Sequence, residues 1–204
     1  MEKFLHSRWT LTLAVLALGL IAVLIAGLTL RPHTFSGTVL DTPKQAYDFS
    51  LTGVDGRPVR LSDLRGRLVM VFFGYTNCPD ECPATLHNLH AMLEALGSQS
   101  DRVRVVFITV DPERDTPARM QSYLAGIDPR MLGLTGTLDE ISQTAAQYGV
   151  FFQKGTYNSQ GSYEITHTLI IQLIDSKGLM RVVYPSETPS TALAEDVSYL
   201  LKHP

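Results

Sequence analysis

The sequence is poor in cysteine. Its 204 residues hold two, Cys78 and Cys82. A secreted scaffold stapled by disulfides spreads more cysteines along its chain. A bridge between residues this close closes too small a loop to stabilise a fold much. The pair is better explained by chemistry than by architecture. Charge of one sign is also scarce: 17 Lys and Arg face 20 Asp and Glu, a net charge of −3. No block of like charges stands out, and a nucleic-acid binder would show a basic face. No nucleic acid is expected as a partner. Internal repeats and low-complexity tracts are lacking as well. The methionines at 70, 92, 120, 131 and 180 are scattered and read as core filler rather than as a ligand-bearing motif.

What the chain does have is one long hydrophobic run. Residues 11–30 carry no charge, and their only polar members are Thr12 and Thr29. As a helix the run would span roughly 30 Å, the thickness of a bilayer core. Lys3 and Arg8 precede it and Arg31 follows it. The leading positives favour an inside N-terminus, and Trp9 sits where an interfacial aromatic belongs. The run is longer than the apolar core of a cleaved signal, and no small-x-small site directly follows. The expected organisation is a cytoplasmic segment 1–10, a single transmembrane anchor 11–30 and a linker 31–48. Residues 49–204 then form a domain outside the cytoplasm, in an oxidising compartment.

Within the domain, residues 49–51 and 59–61 flank a Gly-rich turn and predict a hairpin. Residues 68–73 are continuously apolar, as in a buried central strand. Residues 74–82 read as a loop. Leu86, Leu89, Leu93 and Leu96 recur at helical spacing, which predicts a helix over 83–96 ended by Gly97. Residues 103–110 predict a second buried strand. Thr116 and Pro117 are helix-start residues, and residues 131–135 suggest a short strand. Residues 138–148 read as a helix, and 150–161 as irregular chain or a short hairpin. Strands over 168–174 and 180–184 surround a turn. A closing helix over 188–201 has Thr188 as its expected cap. This order matches an α/β thioredoxin-like mixed sheet flanked by helices, preceded by the transmembrane helix.

Crevices in open α/β sheets lie beyond the carboxyl ends of parallel strands. There the first strand delivers Cys78 and Cys82, and the second delivers Asp111. A strand starting at Thr168 and running antiparallel to both would place His167 at the same edge. In a helical turn, residues four apart share a face. Beside a helix N-terminus, the expected effect on the thiols is a lowered pKa and a reactive thiolate. Two thiolates and an imidazole suit Cu(I) or Zn(II).

The string FFGYTNCPDECP over 72–83, DPERDTP over 111–117 and His167 before an apolar strand together resemble the SCO/SenC copper chaperones. The resemblance covers essentially the whole chain. It implies a thioredoxin-like domain with Cys78, Cys82 and His167 as copper ligands and Asp111 as an accessory acidic group. The cargo would be copper, as Cu(I), Cu(II) or both. It also implies a place in the inner membrane with the domain in the periplasm. The implied partners are a periplasmic copper donor and subunit II of cytochrome c oxidase, whose binuclear copper centre would be the recipient. The family commonly carries Asp where this chain has Thr166.

Two other readings compete. A thiol-disulfide oxidoreductase would use Cys78 and Cys82 catalytically to reduce target cysteines and would not need His167. A thiol peroxidase would use the threonine-then-cysteine spacing of Thr76 and Cys78, but no arginine is assignable from sequence. His87 and His90, three apart on the predicted helix, read as solvent-facing. Tyr75 reads as a wall of the site or as ordinary aromatic packing.

Overall fold

The computed structural model describes Trp9, residues 12–21, Val23, Gly27, residues 32–159 and residues 161–203. The chain divides into two compact units, Met1–Thr34 and Phe35–Pro204. In the first, residues 12–21 are helical. Among the described residues no helix is long and apolar enough to cross a membrane. Leu11, Ala22, residues 24–26 and residues 28–30 of the predicted anchor lie outside the described residues.

The second unit is built on a sheet with strands β1 (Thr38–Gln45), β2 (Ser50–Gly53), β3 (Pro58–Arg60), β4 (Leu68–Gly74), β5 (Val103–Thr109), β6 (Leu132–Thr135), β9 (Ile170–Ile174) and β10 (Leu179–Pro185). Its order is β1-β10-β9-β4-β5-β6-β2-β3. β4, β5 and β6 run parallel, and β9 lies antiparallel to β4. β7 (Phe152–Lys154) and β8 (Ile165–His167) form a separate antiparallel pair. The helices are α1 (Glu81–Leu96), α2 (Pro117–Ala125), α3 (Leu138–Gln147) and α4 (Ser190–Lys202). α1 packs on α4, and α2 packs on β6.

The centre of the sheet is where sequence and structure agree best. Every residue of β4 is buried, as its unbroken apolar run requires. Phe72, Phe73 and Phe107 are at most 1 % exposed, and each such burial contributes about 1.5–3 kcal/mol. Met70, Met92, Met120 and Met131 are buried core, as expected.

Four boundaries differ from expectation. The segment read as linker contains β1, an edge strand with mostly exposed side chains. Its polar composition hides it, because its order comes from pairing with β10. α1 starts at Glu81, two residues before the predicted start, since a proline is tolerated anywhere in a first turn. Thr188 does not cap α4. Its hydroxyl donates to the Pro185 carbonyl at 2.8 Å, and Asn88 of α1 supplies the cap by accepting from the Ser190 N–H at 3.1 Å. Finally, the strand predicted to start at Thr168 is divided. His167 ends β8 in the small sheet, and β9 begins three residues later in the large one.

Candidate metal centre

β4 ends at Gly74, and the chain turns through residues 75–80 into α1. The Cys78 N–H donates to the Tyr75 carbonyl at 3.2 Å, which closes the turn. Because α1 begins at Glu81, Cys82 lies in its first turn. The Cys82 N–H, one of the otherwise unpaired amides of a helix start, donates to Cys78 Sγ at 3.4 Å. Both cysteines are free thiols. His167 brings Nε2 to 3.5 Å from Cys82 Sγ, and its Nδ1 meets the Thr168 carbonyl at 3.2 Å. That carbonyl fixes the ring, so the exposed Thr166 is not needed to orient it. Tyr75 meets the imidazole edge-on at 6.0 Å between ring centres, and its hydroxyl accepts from the Ile165 N–H at 3.2 Å. One atom from each of Cys78, Cys82 and His167 lies within 4.8 Å of the others.

The expectation of a lowered pKa does not hold for Cys82. Cys82 is 0 % and Cys78 8 % exposed. Burial, reinforced by the hydrogen bond with Cys78, pushes the Cys82 thiol well above its ordinary value. The helix terminus is present, but desolvation of the charged form outweighs it. Burial also lowers the His167 pKa, with the Thr168 carbonyl and Glu81 opposing. The imidazole is therefore neutral at pH 7 and its Nε2 can coordinate a metal. A cavity of about 430 Å³ opens over Cys78 and His167, bordered by Asp80, Glu81 and Glu164.

Asp111 lies at the end of β5, as predicted, but outside the three-donor cluster. Its carboxylate receives the Arg114 Nε–H on one oxygen and the Tyr163 hydroxyl at 2.8 Å on the other. Asp115, just ahead of the helix-start residues Thr116 and Pro117, is fully buried. It accepts from the Thr76 N–H at 2.9 Å, the Thr76 hydroxyl at 2.5 Å and the Thr109 hydroxyl at 2.6 Å. It thereby pins the cysteine loop to β5. An arginine does sit at that loop: Arg119 donates to Thr76 Oγ1 at 2.8 Å and to Asn77 Oδ1 at 3.2 Å. Asp115, Arg114 and Tyr163 were missed because the contacts that give them a role, Thr76 with Asp115 and Tyr163 with Arg114 and Asp111, are remote in sequence. The nearest signal was the spacing of Asp111, Arg114 and Asp115 within one motif.

A second donor group, His90, Glu94 and Asp128, is already filled by protein. Arg130 donates to both carboxylates, and His90 Nδ1 lies 2.9 Å from Asp128. His87 is exposed, as expected, with Nδ1 against the Pro83 carbonyl at 2.7 Å.

A family model described as SCO1/SenC matches residues 38–202. The chain belongs to the SCO1/SenC family. Among relatives, it is 36 % identical over 152 residues to Protein SCO2 homolog, mitochondrial, of Mus musculus. That match covers 74 % of this chain and 60 % of the relative, so the chain spans about three-fifths of that protein's length. Among solved structures, apo Sco1 of Thermus thermophilus has 38 % identity and a TM-score of 0.75, covering 82 % of this chain and 98 % of that one. Copper-bound ScoI of Bradyrhizobium japonicum has 36 % identity and a TM-score of 0.71, covering 76 % and 99 %. The mixed, thioredoxin-like fold of this SCO1/SenC member agrees with the sequence-based expectation.

Proposed function

We propose that this protein is a copper carrier that holds the ion between Cys78 Sγ, Cys82 Sγ and His167 Nε2. The observation that carries this reading is the convergence of two sulfurs and a neutral imidazole within 4.8 Å. Thiolates are soft ligands that select Cu(I), and imidazole completes a three-coordinate site. A site with an open side facing a cavity suits an ion that must be passed on by ligand exchange. Copper in the ScoI relative supports the cargo. The sequence resemblance supplies the route: copper arrives from a periplasmic donor and leaves for the binuclear centre of cytochrome c oxidase subunit II. The apolar run 11–30 would anchor the chain once through the inner membrane, with the domain on the periplasmic side.

The test is copper titration of residues 35–204 under reducing conditions. The wild-type domain should bind one copper per chain. His167→Ala should weaken retention by about ten- to a hundredfold against a competing chelator. Unchanged retention in that variant would remove His167 from the ligand set. Charge transfer from sulfur in a Cu(II)-loaded sample would report thiolate ligation directly.

A second reading, thiol-disulfide reduction of a target, is favoured by one observation: both cysteines are free and their sulfurs are adjacent. In this reading Cys78, the less buried of the two, attacks the target disulfide. Cys82 then displaces the reduced target thiol and closes the internal disulfide. Cys82→Ser should therefore trap a mixed disulfide at Cys78. If no partner is captured by that variant in cells, the reductase reading fails while the carrier reading stands.

A further inference from the structure

The three donors come from two separately built parts. Cys78 and Cys82 follow β4 of the large sheet, whereas His167 ends β8, whose ladder partner is β7 of the small sheet. A metal centre assembled this way needs something that fixes one part against the other. We infer that Asp111, Arg114 and Tyr163 form a clasp that positions His167 against the thiols.

Arg114 makes the connection with one guanidinium. Nε donates to the Asp111 carboxylate at the end of β5, and Nη1 donates to the Tyr163 carbonyl at 2.9 Å, four residues before His167. The same guanidinium stacks 3.6 Å over the Tyr163 ring, and the ammonium of Lys154 lies 4.1 Å from that ring. The Tyr163 hydroxyl returns to Asp111 at 2.8 Å. Asp111 and Tyr163 are 3 % and 5 % exposed, so water competes little for these bonds. Between the clasp and the imidazole, the Ile165 N–H is held by the Tyr75 hydroxyl. The chain is thus gripped at 163 and 165 immediately before 167. A lysine at position 114 would keep the charge but could not span the carboxylate and the carbonyl together. These are positioning residues, since none of the three touches the donor atoms.

The inference rests on the copper reading for its functional consequence, and its test separates the two. Cu(I) retention by residues 35–204, whose core lies wholly within that segment, is measured by chelator competition. The variants are Arg114→Lys and Tyr163→Phe, each alone and combined with His167→Ala. Arg114→Lys should weaken retention about tenfold when His167 is present and add nothing when it is absent, the non-additivity expected of coupled residues. No loss in the single variant, or fully additive losses, would overturn the clasp. Should Arg114→Lys fail to fold, Tyr163→Phe removes a single hydroxyl and carries the same cycle. If the wild-type domain binds no copper, the carrier reading falls by itself. Amide exchange at Ile165 in the metal-free domain then decides: faster exchange in Arg114→Lys supports the clasp, and unchanged exchange overturns it.

Discussion

Cys82 Sγ lies against Gly74, and burial holds its thiol above the ordinary 9.0. At neutral pH the metal-free site therefore keeps a proton on Cys82, while His167, with its pKa lowered, keeps none to lose. A metal ion bound through Cys82, as proposed, would have to displace the thiol proton, because only a thiolate ligates. Copper affinity should accordingly rise with pH, by about tenfold per unit for each proton released between about pH 6 and 8. Calorimetry in buffers of different ionisation enthalpy would count the protons. Uptake without proton release would show that Cys82 is already ionised or is not a ligand. The same packing makes Gly74 consequential. A Cβ there would lie 2.9 Å from Cys82 Sγ and 2.8 Å from Phe107, closer than real contacts allow. Gly74→Ala should destabilise the domain by about 1–3 kcal/mol through overpacking and weaken copper retention by moving Sγ. Denaturant melts and chelator competition measure the two effects. Sequence alone offered the cysteine spacing but not this burial, which depends on how closely α1 lies over β4.

Elements show how unevenly a sequence displays its structure. β4 and β5 were legible because a strand covered on both faces must be apolar throughout. β1 was not, since an edge strand such as Thr38–Gln45 has little to bury and takes its order from a partner. The caps divide in the same way. Thr116 caps its own helix, accepting from the Arg119 N–H at 3.3 Å, and is readable from local spacing. The α4 cap comes from Asn88, a hundred residues away, and is not. Strand topology put His167 at the thiol edge, but on the wrong strand: it ends β8, which pairs with β7 outside the large sheet, and the resemblance is what favours it as a donor. α1 is tied to the turn after α2 by another remote contact. Asp128, 1 % exposed, is pushed up by burial, but bonds from Arg130 and His90 overcome this and hold it well below its ordinary 3.8. The folded state then binds fewer protons than the unfolded chain through the acid range. The stabilisation is fully present above the ordinary carboxylate value and is lost as pH falls toward the depressed one. Asp128→Asn should flatten the acid side of the stability profile, as followed by thermal melts from about pH 5 downward. An unchanged profile would mean that other carboxylates govern acid unfolding.

At the scale of the molecule, the donors and the core that supports them belong to Phe35–Pro204, and the apolar run belongs to Met1–Thr34. Under the proposed function, this division would separate what the protein binds from where it is held. In the proposed site, copper affinity would depend on the sulfur and imidazole positions, which β4, α1 and β8 set. Delivery depends on encounter with a recipient, and a tether raises the effective concentration of the domain at a membrane surface by restricting the volume it searches. Deleting residues 1–34 should leave copper stoichiometry and affinity unchanged within about twofold, release the protein from carbonate-washed membranes, and lower copper loading of the oxidase in cells. Fractionation, chelator competition and oxidase metal content measure these separately. If the deletion weakened copper binding itself, the N-terminal unit would be part of the site rather than a tether. If it left oxidase loading intact, the domain would find its recipient by free diffusion. The deletion thus distinguishes a role in binding from a role in placement, since the first changes affinity and the second changes only where bound copper can be delivered.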